Sequence, residues 1–117
     1  MLLEAGACHA SWGDIHLGPE NALKAHALLG GGVFLPVHWG TFSLALHAWG
    51  EPAETLLELG PRAGVPLLMP RLGEAVEPAH VNRVTPWWRG VDAQRRSEIA
   101  PAPEPMRLPK AMPWPID

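Results

Sequence analysis

Three short apolar runs, at residues 2–5, 33–37 and 65–69, are separated by two stretches with helical patterning. This order of strand, helix, strand, helix, strand constrains the fold more than any other feature and belongs to an α/β layer. Three strands this short make a small sheet, so the pattern reads as part of a larger one. The first helix is expected over residues 19–29. Pro19 suits a first helical position, Glu20 favours the positive end of the helix dipole, and no β-branched residue follows before Leu29. Ala22, Ala25, His26 and Leu29 share one face, and Gly30-Gly31-Gly32 stops the helix. A second helix is expected over residues 52–59 with Leu56, Leu57 and Leu59 inward, closed by Gly60-Pro61. Pro36 lies inside the middle strand and must sit where no ladder hydrogen bond is needed.

Past Pro78 the periodicity fades. The chain holds 14 prolines, and the last of them crowd into residues 101–117 without a P-x-x-P spacing, which argues against an SH3-type ligand. The reading is therefore residues 1–78 as one domain and 79–117 as an extended or disordered Pro-rich tail. A net charge of -3 excludes a broad electrostatic grip on nucleic acid. Cys8 is the only cysteine, so no intramolecular disulfide and no Cys-rich zinc knuckle can form, which fits a cytoplasmic location. No basic, apolar leader is visible, and the longest apolar stretch, residues 28–37, falls short of the ~20 residues of a transmembrane segment.

His38 is the leading candidate for chemistry. It follows directly on the end of the middle strand, and Gly40 lets the chain turn, so its imidazole can be offered to a cleft at a strand end. Trp39 can wall such a pocket and Thr41 can hydrogen-bond beside it. The competing reading is an ordinary strand-end histidine packed on Trp39. His16 precedes the first helix, where anions are favoured; a solvent-facing residue near the helix start is the plain alternative. Cys8, His9 and Asp14 share its loop and are ligand types, but none has a diagnostic spacing to His38. His26 is expected to make a structural hydrogen bond from a helix face. His47 and His80 are expected at the surface, and Glu51 and Glu54 at the start of the second helix.

Taken together, Asp14-Ile15-His16-Leu17-Gly18-Pro19-Glu20-Asn21-Ala22, then Pro36-Val37-His38-Trp39-Gly40-Thr41-Phe42, then Glu51-Pro52 resemble the C-terminal region of metallo-β-lactamase-fold hydrolases. The branch that looks most similar contains N-acyl-phosphatidylethanolamine phospholipase D and its bacterial relatives, near the ascorbate-phosphate lactonases. The resemblance covers residues 2–78. It implies the C-terminal portion of a four-layer αββα sandwich that holds two zinc ions, with His38 as the last metal ligand. His16 would then lie near the mouth of the site, with Trp39 and Thr41 as substrate-binding or supporting residues. Phosphodiesters or other small esters would be the substrates.

The family's main ligand motif, H-x-H-x-D-H, is found in no segment of this sequence. One histidine cannot hold a catalytic zinc pair. The chain is thus expected to be a C-terminal fragment or truncated product of such a hydrolase, inactive alone, and partnered by the missing N-terminal half or by itself. The alternative is a small non-catalytic binding or dimerisation protein descended from a truncated hydrolase. A single metal site rebuilt from His38 with His16, His9, Cys8 or Asp14 is a third expectation.

Overall fold

The computed structural model describes residues 1–80 and 83–98. β1 (Leu2–Glu4) leads through a loop with a short 3-10 turn, Ala10–Trp12, into α1 (Gly18–Leu28). β2 (Leu35–Val37), α2 (Glu51–Arg62) and α3 (Trp88–Glu98) follow. β1 and β2 are parallel neighbours, with Leu2 opposite Leu35, Leu3 opposite Pro36 and Glu4 opposite Val37. The architecture is α/β. Among the described residues it consists of one two-stranded parallel sheet with helices, and a four-layer αββα sandwich is not formed within this chain.

The third expected strand shrinks to a single bridge between Phe34 and Leu67. The Phe34 amide donates to the Pro66 carbonyl at 2.9 Å, and the Leu68 amide donates to the Phe34 carbonyl at 2.8 Å. The next donor on this side, two residues along β2, would be Pro36, which has no N–H. Pro36 therefore ends the ladder rather than merely avoiding it. Its carbonyl is used instead by the Trp39 indole, 3.1 Å away.

The core gathers Ala5, Ala22, Leu23, Phe34, Ala53, Leu56, Leu67, Met69 and Trp88. α1 packs on both α2 and β1. Its buried face is Ala22, Leu23 and His26, whereas Leu29, expected inward, is exposed because the helix ends before it. The Gly31 amide bonds the His26 carbonyl at 2.9 Å in a closing turn that requires positive φ at Gly30, here 98°. His26 makes the expected structural bond, its Nε2 lying 2.9 Å from the Gly32 carbonyl, and packs on Phe34. α2 buries Leu56 fully and Leu57 and Leu59 in part. It runs through Gly60-Pro61 rather than stopping there, since the Ala63 amide reaches past the proline to the Leu59 carbonyl at 3.0 Å.

The larger departure concerns the stretch read as an extended tail. Trp88–Glu98 is α-helical and docked. Trp88 is 1% exposed, and Trp39, Trp49, Trp87 and Trp88 form a cluster with ring centroids 5.4–6.0 Å apart. Glu54 of α2 accepts from the Trp88 indole and from Arg89 Nε and Nη2, each at 2.7 Å. One large anchor holds this helix in place of a repeating apolar stripe, so the period that marks a helix in sequence is missing. Residues 101–117, where the prolines crowd, lie outside the described residues. No helix among the described residues is long and apolar enough to cross a membrane.

Candidate metal centre

β1 and β2 run in the same direction and end side by side. In open parallel sheets the carboxyl ends of strands are where ligands collect. Glu4 is the last residue of β1, and His38 follows immediately on β2. The loop between β1 and α1 brings His16 back to the same edge, just ahead of the first turn of α1. One ligand-type atom from each of Glu4, His16 and His38 lies within 4.8 Å of the other two.

The three are held differently. His16 Nδ1 lies 3.0 Å from Glu4 Oε2, and the Leu17 amide donates to Glu4 Oε1. The Glu4 carboxylate thus ties the end of β1 to the entrance of α1, with both of its oxygens used. The His16 and His38 rings stack, with centroids 5.0 Å apart and planes 27° from parallel, while Trp12 meets His16 edge-on at 6.2 Å. His38 is exposed and stands at φ 63°, in the left-handed region that few non-glycine residues occupy. The turn expected at Gly40 therefore opens two residues earlier, at His38 itself, and recurs at Gly40 (φ 78°).

Burial alone would raise the Glu4 carboxyl. The hydrogen bonds from His16 and the Leu17 amide, helped by the charges of His16 and His38, outweigh it and hold Glu4 below the usual 4.5. Glu4 is accordingly an anion beside two imidazoles, a donor set that suits a divalent cation. The approach is close. A Cβ on Gly6 would fall 2.2 Å from the His38 carbonyl oxygen and 2.8 Å from Trp39 Cβ, so only glycine lets the loop after β1 pass the strand end.

His16 and His38 are thus brought together, and Trp39 and Thr41 are not part of their group. Trp39 turns into the tryptophan cluster, and Thr41 is exposed. Cys8 is half-buried, and burial pushes its thiol above the ordinary 9.0, which makes it a poor thiolate donor. His9 Nδ1 accepts from the Ser11 amide within its own turn, Asp14 is exposed, and neither joins the cluster. His80 is exposed as expected, while His47 is half-buried and donates from Nδ1 to the Ala48 carbonyl. Glu51 accepts from the Ala48 amide, the helix-start role read for it, and Glu54 instead clasps α3.

Glu4 is the residue that sequence reasoning passed over. Its signal was positional: an acidic residue at the end of one strand, one register step from the histidine that ends the next.

Three mycobacterial proteins match the chain, one from Mycobacterium bovis and two from strains of Mycobacterium tuberculosis, all bearing the name of an uncharacterized protein. Each is 46% identical over 91 residues, covering 75% of this chain and 24% of the relative. The chain therefore spans about a quarter of the length of the curated relatives it matches. No family model matches the sequence, and no solved structure matches it.

Proposed function

We propose that this chain is the C-terminal part of a zinc-dependent hydrolase of the metallo-β-lactamase fold, with phosphodiesterase or phospholipase D-like chemistry, and that it is inactive by itself. The observation that carries the reading is the pairing of His16 with His38 at the carboxyl ends of parallel strands, since these are the two histidines of the H-x-x-P-E-x-A and H-W-G-T-F segments. The finer fold, half of a four-layer αββα sandwich, belongs to this proposal: one sheet with helices is what half of that sandwich would leave. The mycobacterial relatives give it further support, because there a stretch of this kind is a quarter of a longer protein. A cytoplasmic location is part of the same reading and rests on the lone thiol.

The donor set suits the implied metal. His38 would be its ligand in this chain, exposed and at a strand end. Bound zinc supplies a water acidified toward neutral pH and a positive clamp for a phosphodiester or ester. His16, fixed by Glu4, offers an imidazole toward the same place for substrate. Trp39 anchors the backbone that carries His38, and Thr41, exposed at the rim, is open to substrate.

The test joins the chain to the part of a mycobacterial relative that lies outside the matched stretch and assays zinc content and cleavage of bis(p-nitrophenyl) phosphate. The joined protein is expected to hold two zinc ions and cleave the diester, and His38→Ala is expected to remove both properties. Cleavage and zinc content untouched by His38→Ala would sink the proposal. So would a folded joined protein without zinc, an outcome that favours the non-catalytic binding or dimerisation role.

A further inference from the structure

We infer that Glu4, His16 and His38 form a mononuclear site for one divalent transition-metal cation of the zinc class, complete within this chain by itself. The inference concerns the isolated chain and stands or falls apart from the hydrolase reading. What leads to it is the addition of Glu4, which turns a pair of histidines into a three-donor set.

Zinc sites that keep an open position use three protein ligands, and two imidazoles with one carboxylate is an established set. With ligand bonds of about 2.0–2.2 Å, donors around one tetrahedral ion stand about 3.3–3.6 Å apart. His16 Nδ1 and Glu4 Oε2 are already 3.0 Å apart, so a cation can take the place of the hydrogen bond between these two atoms. The His38 donor is within 4.8 Å of both, and its side chain is exposed, so it can close a remaining gap of at most about 1.5 Å by rotating on a fixed backbone.

Four further features fit a binding site rather than a chance contact. The donors come from three separate elements: a strand end, a loop and the residue after a second strand. The other Glu4 oxygen, Oε1, accepts from the Leu17 amide, the kind of outer hydrogen bond that orients a metal-ligating carboxylate. His38 also holds an unfavourable φ of 63°, a cost of the sort that concentrates at functional positions. Glu4 and His16 keep 27% and 25% of their side chains exposed, enough for a cation to reach them.

The test titrates the metal-free 117-residue chain with cobalt(II), followed by zinc as competitor, while circular dichroism checks that each variant is folded. The expected result is one cobalt per chain, with the intense visible bands of four-coordinate cobalt and complete displacement by one zinc. Glu4→Gln, His16→Gln and His38→Ala should each weaken binding more than the about 100-fold that losing an outer hydrogen bond can cost. Cys8→Ser should bind like the parent. A smaller loss at Glu4 makes it an outer partner and overturns the three-ligand site. No binding by the folded parent, undiminished binding in either histidine variant, or a thiolate-to-cobalt band that vanishes in Cys8→Ser also overturns it. Each of these readouts is independent of diester cleavage, so the site can fail while the hydrolase proposal survives, and the reverse.

Discussion

His38 and Trp39 are adjacent in the chain and belong to two regions built on opposite terms. On the His38 side, three polar groups from separate elements meet at an open edge, with a strained backbone and an imidazole left exposed. On the Trp39 side, four indoles pack together, and α3 is locked by a carboxylate that satisfies three donors at once. The first arrangement holds groups ready for something else, and the second is packed and paired within itself except for the buried Trp49 Nε1, which has no hydrogen-bond partner. A chain can keep an unfinished edge only if another part supplies the stability, and here the tryptophan cluster does so.

The sharpest way to separate the two regions is Trp88→Ala. Removing a fully buried indole should cost about 3–5 kcal/mol, the largest effect expected, measured by urea unfolding. Trp88 is none of the three donor residues and its indole hydrogen-bonds Glu54, so the variant, where still folded, should bind cobalt as the parent does. Loss of binding in proportion to loss of stability would mean that the two regions are one cooperative unit.

Gly6→Ala attacks the seam between them. The new methyl would meet both the His38 carbonyl and Trp39 Cβ, so the loop must move away from the strand end. Overpacking of this kind costs about 1–3 kcal/mol. Unlike Trp88→Ala, it should also displace His38 and weaken metal binding in the folded fraction, a joint loss that calorimetry can register.

How much of this was legible beforehand follows the same division. The helices 19–29 and 52–59 were readable because proline, acidic first turns and glycine stops are local signals, and α1 and α2 lie within a few residues of them. His38 could be singled out from its place after an apolar run. The α3 clasp was not legible, because Trp88 and Arg89 meet Glu54 across 34 and 35 residues and no local pattern announces such a contact. Nor was the loss of the third strand, which needed the knowledge of which way the Pro36 nitrogen faces. Glu4 escaped for a similar reason: the chemistry lies in the register of β1 against β2, and register is a property of the pair.

The carboxylates allow a finer comparison. The hydrogen bond from Arg89 is the main influence holding Glu54 below 4.5, against the opposing effect of burial. A carboxyl with a lowered folded value adds stability above its unfolded value and loses it as pH falls through the folded one. Stability should therefore decline below about pH 4.5, the ordinary value, through both Glu54 and Glu4. Glu54→Gln should cost about 1 kcal/mol near neutral pH, a modest figure because the Glu54–Arg89 pair is half-exposed and screened. It should flatten only part of the acid decline, with the remainder coming from the metal-site edge. An acid limb unchanged in Glu54→Gln would remove the clasp from the pH dependence altogether.

The smallest expected change in stability tests what the open edge costs. Left-handed φ disfavours a residue with a Cβ by about 1–2 kcal/mol, and His38→Gly removes that penalty. Glycine also makes the unfolded chain more disordered, which takes back about 0.5–1 kcal/mol. The net effect in thermal unfolding should be a stabilisation of about 0–1.5 kcal/mol, while the imidazole needed for metal is gone. A gain in stability accompanied by loss of cobalt binding would identify His38 as a residue kept against the preference of its backbone. A clear loss of stability would mean that stacking on His16 outweighs the strain, and the edge would then resemble the tryptophan side more than its exposure suggests.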